Sequence, residues 1–182
     1  DENLNVVAAV KNPTSDDIYT GIMGAVDAVL DESGVDRPLI GQAMLGTTQC
    51  TNAIVERKDL APIAILRIGA PATVGIPPMV DWADDIASVC VDSLIIEGGF
   101  DEAACRAFFE GVKGRVEAVA VSSVFSTVRN DDELRAAEIA REVLGEDVHV
   151  SISSEIGSMG LIERENATIL NAALYDVARK FT

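Results

Sequence analysis

The stretch of sequence that decides the fold class is VEAVAVSSVF, which occupies residues 116–125. Such a nearly continuous run of Val and Ala is typical of a parallel strand that is covered on both faces. After it, Asn130 and Glu133 have the spacing of a capping box that opens a helix, and Gly145 ends that helix. Residues 148–153 then alternate between apolar and polar side chains, which predicts a strand with one polar face. Strand, helix and strand in this order indicate a parallel sheet covered by helices.

The rest of the chain continues this alternation. Further strands are predicted at residues 4–10, 40–45, 61–68 and 94–96. Further helices are predicted at residues 101–111 and 161–181, with one that starts at the polar cluster of residues 14–16 and is ended by Gly34, and another that ends near residue 58. Residues 69–78 hold three prolines and two glycines, so they are predicted to form an irregular loop. The predicted fold class is α/β, with a mostly parallel or mixed sheet flanked by helices.

Composition limits the classes of function that the chain can have. The 182 residues are 48% hydrophobic and only 4% aromatic, which predicts a core of Ala, Val, Ile and Leu. The net charge of −16 argues against a nucleic-acid partner, because binding to phosphates requires clustered Lys and Arg. No apolar run reaches the roughly 18–20 residues that span a bilayer. We therefore expect a soluble, cytoplasmic protein with no membrane partner.

The cysteine and histidine content argues against disulfide, zinc and histidine-based catalytic sites. The three cysteines, Cys50, Cys90 and Cys105, are odd in number and lack C-x-x-C spacing, so neither a disulfide framework nor a zinc site is predicted. His149 is the sole histidine of the sequence, which argues against a His-based triad or a His-rich metal site. No metal ligands are predicted in this chain.

The first candidate site is the polar segment GTTQCTNAIVER at residues 46–57. It follows the predicted strand at 40–45 and opens a helix, and open α/β sheets bind ligands where strand ends meet helix starts. Its candidate substrate- or nucleotide-binding residues are Gly46, Thr47, Thr48, Asn52 and Arg57. In the alternative interpretation, Thr47 or Thr48 simply caps the helix.

The second candidate site is a similar junction at residues 153–166, which follows the predicted strand at 148–153. Glu155 lies at the end of that strand, where a general base would be placed; alternatively, it forms an ion pair with Arg164. The other candidate binding residues of this region are Ser154, Arg164, Asn166 and Asn171. Arg164 and Asn166 could hold an anion or a ribose, or could belong to a solvated surface. Asn171 interrupts an apolar helix face, so it is expected to be partly buried and hydrogen-bonded, for instance to the neighbouring turn.

These two junctions resemble the hydantoinase/oxoprolinase family. The resemblance lies in residues 46–57 and 153–172 and points to the amino-terminal region of the A-type subunit. Supporting matches at residues 64–69, 71–72, 76–78, 82 and 119–125 extend it over most of the chain. The segment GSMGL at residues 157–161 is more similar to the hydantoinase and N-methylhydantoinase branch than to the oxoprolinase or acetone carboxylase branches.

The resemblance implies an ATP-dependent hydrolase that opens five-membered cyclic amides after phosphorylation of the amide oxygen. It also implies an RNase H-like or actin-like ATPase lobe, ATP with Mg²⁺ or another divalent metal, and two partners: the remainder of the A-type subunit and a B-type subunit. We expect an oligomer.

Relatives open with a glycine-rich phosphate hairpin, and none precedes Leu4. Residues 1–182 are therefore expected to be one domain of a longer protein, a lobe without its first strand that is inactive and binds no cofactor alone. An ATP-dependent carboxylase of the acetone type and a non-catalytic regulatory domain are the alternatives.

Overall fold

The computed structural model describes residues 5–13, 15, 17–44, 46, 48–158 and 160–180. The chain divides into two compact units, residues 1–46 and 47–182. The two units are described separately below.

The first unit is built around helix α1, Ile18–Ser33. Asp17 opens α1, because its carboxylate accepts the backbone N–H of Thr20 at 3.1 Å. Gly34 ends α1 in the left-handed conformation, with φ 63°, and its N–H bonds to the carbonyl of Leu30. A short 3₁₀ helix, Arg37–Leu39, follows.

The two strands predicted for this unit are absent from its described residues. Residues 5–10 and 40–44 are neither helix nor strand, whereas Leu4 and Leu45 lie outside the described residues. Val6 and Ile40 are exposed. An apolar run forms a strand only where a neighbouring strand completes its hydrogen bonds, and the described part of this unit contains no such neighbour.

The second unit contains a four-stranded sheet in which every pair of neighbours is parallel. Its strands are β1, Ile63–Gly69; β2, Cys90–Glu97; β3, Ala118–Ser123; and β4, His149–Ile152. Their order across the sheet is β2-β1-β3-β4. Every residue of β3 is buried, as the Val/Ala run predicts for a strand covered on both faces. The α/β fold class is confirmed.

Helices cover both faces of this sheet. Helices α4, Glu102–Val112, and α5, Asp131–Leu144, pack against the face that carries Leu66 and Val121. Helices α3, Asp84–Ala87, and α7, Leu161–Ala173, pack against the face of Ile65 and Ala120. The alternation of side chains along each strand supplies the two apolar faces. The more specific RNase H-like assignment stays a prediction.

The predicted helix at 161–181 is two helices in the structure. Helix α7 ends at Ala173, and a short helix α8, Tyr175–Arg179, follows Leu174. The break has a local cause, because the carbonyl of Ala173 accepts the N–H of Ala61 at 2.9 Å instead of an N–H from the next helical turn. Phe181 lies outside the described residues.

The strand order identifies the edge of the sheet where a ligand is expected. From β1 the chain continues to β2 on one side, whereas β3 and β4 lie on the other side. Open parallel sheets bind ligands beyond the carboxyl ends of their strands, near such a reversal of strand order. At this edge the strands end at Gly69, Glu97, Ser123 and Ile152.

Candidate functional site

An open cleft of about 430 Å³ lies beyond the carboxyl ends of β3 and β4. One wall is the loop that follows β3, and the other begins with a single helical turn, α6, Ser153–Ile156, directly after β4. The lining residues are mostly hydroxyl- and amide-bearing: Ser126, Thr127, Asn130, Ser154, Glu155, Ile156, Gly157 and Ser158. The volume falls within the range of roughly 300–1,000 Å³ that is usual for small-molecule sites.

Two side-chain hydrogen bonds hold the walls of this cleft together. The hydroxyl oxygens of Ser126 and Ser153 lie 3.2 Å apart in a buried contact. The side-chain amide of Asn130 donates to the hydroxyl of Ser154 at 3.4 Å. These two hydrogen bonds therefore fix the distance between the walls.

Beneath the cleft, Glu133 joins the ends of β3 and β4. Its carboxylate accepts the backbone N–H groups of Ser123 at 2.7 Å and Ser154 at 2.9 Å, and also the hydroxyl of Ser153. The predicted capping box is thus wrong, although Asn130 does occupy the N-cap position of α5. Glu133 is fully buried. Backbone N–H groups at buried strand ends need a protein acceptor, whereas N–H groups at an exposed helix start can bond to water.

Arg164 lies on the other side of the same junction and is buried. Its Nε donates to the hydroxyl of Ser153 at 2.9 Å. Its Nη1 and Nη2 donate to the carbonyls of Gly160 at 3.0 Å and Ser123 at 2.6 Å. Because Ser153 also donates to Glu133, the two opposite buried charges are linked through one hydroxyl.

The alternative in which Glu155 pairs with Arg164 is not observed, because the recorded partners of Arg164 are a hydroxyl and two carbonyls. Glu155 is exposed on α6 and lines the cleft, together with Ser154. Asn166 is half-buried on α7 and does not belong to the lining. The structure therefore brings Ser154 and Glu155 together at the cleft, with Arg164 beneath them.

Asn171 belongs to a separate polar group on the outer strand. Its side-chain amide donates to the hydroxyl of Ser151 at 2.9 Å, and Nε2 of His149 lies 2.9 Å from the same hydroxyl. The ring of His149 stacks on Tyr175 with centroids 3.7 Å apart. Burial lowers the pKa of His149, and the nearby charge of Arg141 lowers it further. Asn171 is hydrogen-bonded as expected, but it is exposed rather than partly buried, and it lies away from the cleft.

The first candidate segment is only partly described. Gly46 ends the first unit, and Thr47 lies outside the described residues. Thr48 occupies the N-cap position of α2, Gln49–Glu56, but its side chain makes no capping hydrogen bond. The predicted helix is present, whereas residues 40–44, the described part of the strand predicted to precede it, form no strand.

Asn52 and Arg57 lie away from the cleft. Asn52 is exposed on α2. Arg57 ends α2 in the left-handed conformation, with φ 56°, and its Nε donates to Asp85 at 3.0 Å. Asp85 lies on α3, just before β2 begins, and α2 also packs against α8. These contacts place α2 near the edge where the strands start, opposite the cleft.

Comparison with known families identifies the first half of the chain. Residues 1–90 match the hydantoinase/oxoprolinase N-terminal region. Residues 1–90 therefore carry the N-terminal region of the hydantoinase/oxoprolinase family. The match covers the first unit and continues through β1 to the first residue of β2, so it ends before the cleft residues. No curated protein matches the chain.

The sequence patterns missed a second buried network at the same edge of the sheet. Arg67 on β1 is fully buried, and its Nε donates to Glu165 at 2.6 Å. Its Nη1 donates to the carbonyls of Thr73 at 3.0 Å and Ile76 at 2.7 Å. The hydroxyl of Ser122 donates to the same carboxylate at 2.7 Å. A lone charge within an otherwise apolar strand was the signal that a buried partner must exist.

The ATP and divalent metal implied by the family do not fit the cleft. Among its described lining residues there is no Lys or Arg, and Glu155 is the one charged side chain. Over the part of the chain that the structure describes, no group of three His, Cys, Asp or Glu side chains is placed to hold a metal ion. A triphosphate requires donors and positive charge, and the described lining of the cleft supplies no cation. The described helices also include none that is long and apolar enough to cross a membrane.

Proposed function

We propose that this chain is part of an ATP-dependent hydrolase that opens five-membered cyclic amides such as hydantoin, N-methylhydantoin or 5-oxoproline. The observation that carries the proposal is the match of residues 1–90 to the hydantoinase/oxoprolinase N-terminal region. The parallel sheet supports it, because its cleft lies at the strand ends where α/β enzymes bind small molecules.

The lining of the cleft suits a cyclic amide chemically. A ring amide presents an N–H donor and a carbonyl acceptor, and the side chains of Thr127, Asn130 and Ser158 can serve both. Glu155 is an exposed carboxylate in the same cleft. We assign it the role of general base that takes a proton from the attacking water.

The intact enzyme requires more than these residues. We propose that the remainder of the A-type subunit and a B-type subunit supply the ATP and metal sites, and that the assembly is a cytoplasmic oligomer. On this proposal the 182-residue chain alone is inactive. The absence of cations from the described cleft lining supports a phosphate site located elsewhere.

The test is substrate-stimulated ATP turnover by the intact A-type protein with its B-type partner. ADP release is measured with and without hydantoin, N-methylhydantoin and 5-oxoproline, and the ring-opened acid is quantified in the same samples. We expect at least one cyclic amide to raise ADP release with matching formation of its ring-opened product. ADP release that no cyclic amide stimulates contradicts the proposal, and stimulation by bicarbonate with acetone instead identifies the acetone-type carboxylase.

A further inference from the structure

Helix α6 carries the candidate general base but is too short to hold its own conformation. It is a single turn of four residues, followed by a backbone hydrogen bond from the N–H of Gly157 to the carbonyl of Ser153 at 3.1 Å. A first helical turn fixes several backbone dihedrals for one hydrogen bond, so an isolated turn is unstable in water. Glu155 is exposed on this turn, and its direction therefore depends on contacts that hold the backbone on both sides of it.

Glu133 holds the backbone just before Glu155. Its Oε2 accepts the N–H of Ser154 at 2.9 Å, whereas its Oε1 accepts the hydroxyl of Ser153 and, at 2.7 Å, the N–H of Ser123. Ser123 ends β3, an interior strand of the sheet that is buried along its whole length. One carboxylate thus ties the first two residues of α6 to the interior of the sheet.

Arg164 holds the backbone just after Glu155. Its Nη1 donates to the carbonyl of Gly160 at 3.0 Å. A methyl group added to Gly157 would lie 3.6 Å from Cγ of the arginine, so the backbone there packs against the arginine stem. Its Nη2 donates to the carbonyl of Ser123 at 2.6 Å. The backbone after the general base is therefore anchored to the same strand end as the backbone before it.

The burial of these two charges favours a positioning role over a purely stabilising one. Glu133 and Arg164 are both buried, and the hydroxyl of Ser153 links them. A buried pair of opposite charges often stabilises a fold no more than apolar residues of similar volume do, but each of its hydrogen bonds requires a defined direction. Neither residue is among the described residues that line the cleft. Their effect on a reaction there must pass through the segment that they hold.

We infer that Glu133 and Arg164 are positioning residues, which act through α6 to direct the carboxylate of Glu155 into the cleft. This inference rests on the proposed function, in which Glu155 takes a proton from the attacking water. A general base acts only within hydrogen-bond reach of that proton, and a misplacement of about 1 Å can lower a rate about 10²-fold. Loss of either positioning residue therefore lowers kcat although no group that touches the substrate is removed.

The test substitutions keep either the shape or the charge of the positioning residues. Glu133→Gln keeps the size of the side chain but turns an NH₂ group toward a donor, so at least one of its hydrogen bonds is lost. Arg164→Lys keeps the positive charge but loses the planar set of donors that reaches three partners. Glu165→Gln is the matched control, because Glu165 is a buried carboxylate whose recorded partners are Arg67 and Ser122 rather than α6.

A double-mutant cycle in the intact enzyme separates positioning from general destabilisation. Formation of ring-opened product from hydantoin is measured at a temperature where circular dichroism shows every variant folded. Glu133→Gln and Arg164→Lys should each lower kcat by about 10- to 100-fold, with KM for hydantoin and for ATP within about threefold. In a Glu155→Gln background neither should lower kcat further by more than about twofold, because residues that act through one group are not additive. Glu165→Gln should keep kcat within about twofold.

Hydrogen exchange in the 182-residue chain tests the same tether without any turnover. Amide protons are followed by NMR in the wild type, Glu133→Gln, Arg164→Lys and Glu165→Gln. Glu133→Gln should speed exchange at Ser154 by at least about tenfold relative to the amides of β3, and Arg164→Lys should do so at Gly157. Glu165→Gln should leave both ratios unchanged. Equal acceleration in all three variants, or none in the first two, overturns the inference.

The outcomes separate this inference from the proposed function. If Glu155→Gln lowers kcat but Glu133→Gln and Arg164→Lys do not, the inference is overturned while the hydrolase proposal stands. The same conclusion follows if their effects multiply with that of Glu155→Gln, or if Glu165→Gln lowers kcat equally. Absence of cyclic-amide turnover in the wild type contradicts the proposed function, and hydrogen exchange then still decides whether the two residues hold α6.

Discussion

The buried pair of Arg67 and Glu165 allows a quantitative prediction. Replacing Glu165 by Ala leaves the guanidinium of Arg67 fully buried without its carboxylate and leaves the hydroxyl of Ser122 without its acceptor. Removing one partner of a buried ion pair costs about 3–5 kcal/mol, because the remaining charge stays desolvated. For a domain of this size the midpoint of thermal unfolding should fall by roughly 6–20 °C.

Urea denaturation of the 182-residue chain, followed by circular dichroism, measures this effect. Glu163→Ala is the matched control, since Glu163 lies on the same helix but is exposed, and it should change the free energy of unfolding by less than about 0.5 kcal/mol. If Glu165→Ala changes stability no more than the control does, the pair does not act as a buried ion pair and the reasoning is wrong.

Three further predictions concern other groups in the second unit. Glu133→Ala removes the acceptor of two strand-end N–H groups, so urea denaturation should show a loss of about 3–5 kcal/mol; a loss below 1 kcal/mol refutes its linking role. Burial and the charge of Arg141 lower the pKa of His149 below its ordinary 6.5, against the opposing effect of Asp176. As the pH falls, this imidazole takes up a proton in the unfolded chain before it does so in the folded chain, so the free energy of unfolding decreases below about pH 6.5. His149→Gln should reduce this decrease. Identical pH profiles of the free energy of unfolding in the wild type and the variant contradict the prediction. Burial raises the pKa of Cys105 to about 12, so iodoacetamide at pH 8 should spare this thiol until urea is added; labelling of the native chain argues against its burial.

The parts of the fold that could be predicted are those that a long, continuous apolar run of sequence forms. The Val/Ala run at 116–125 identified β3, and the apolar run at 61–68 identified β1, because each is long enough to exclude an exposed loop. The runs at 4–10 and 40–45 look similar in sequence. They form no strand over their described residues, because a strand also needs a neighbour and the sequence does not show whether one exists.

The position of the candidate cleft was predictable to the extent that strand ends mark it. Ser154 and Glu155 follow β4 directly, so the position of ligands in parallel sheets was enough to select them. The opposite wall required tertiary information, because Thr127 and Asn130 belong to a different loop. The prediction of a capping box at Glu133 was wrong for a related reason. Its carboxylate accepts backbone N–H groups at the ends of two strands instead of one at the start of its own helix.

Partnerships between residues distant in sequence could not be predicted. Arg67 and Glu165 are 98 residues apart, and no local pattern relates them. Arg164 was assigned to an anion or to the surface, but in the folded chain its donors are used by Ser153, Gly160 and Ser123. Side-chain direction on a helix depends on what the helix packs against, which single-sequence patterns do not specify.

The account depends most directly on Glu155 acting in the cleft during ring opening. The decisive measurement is the formation of ring-opened product from hydantoin by the intact enzyme, compared between the wild type and Glu155→Gln. Since a general base contributes about 10²- to 10⁴-fold, kcat should fall by at least about 100-fold. Because Glu155 is exposed, thermal stability should be unaffected. A Glu155→Gln enzyme that keeps the wild-type kcat contradicts the central claim.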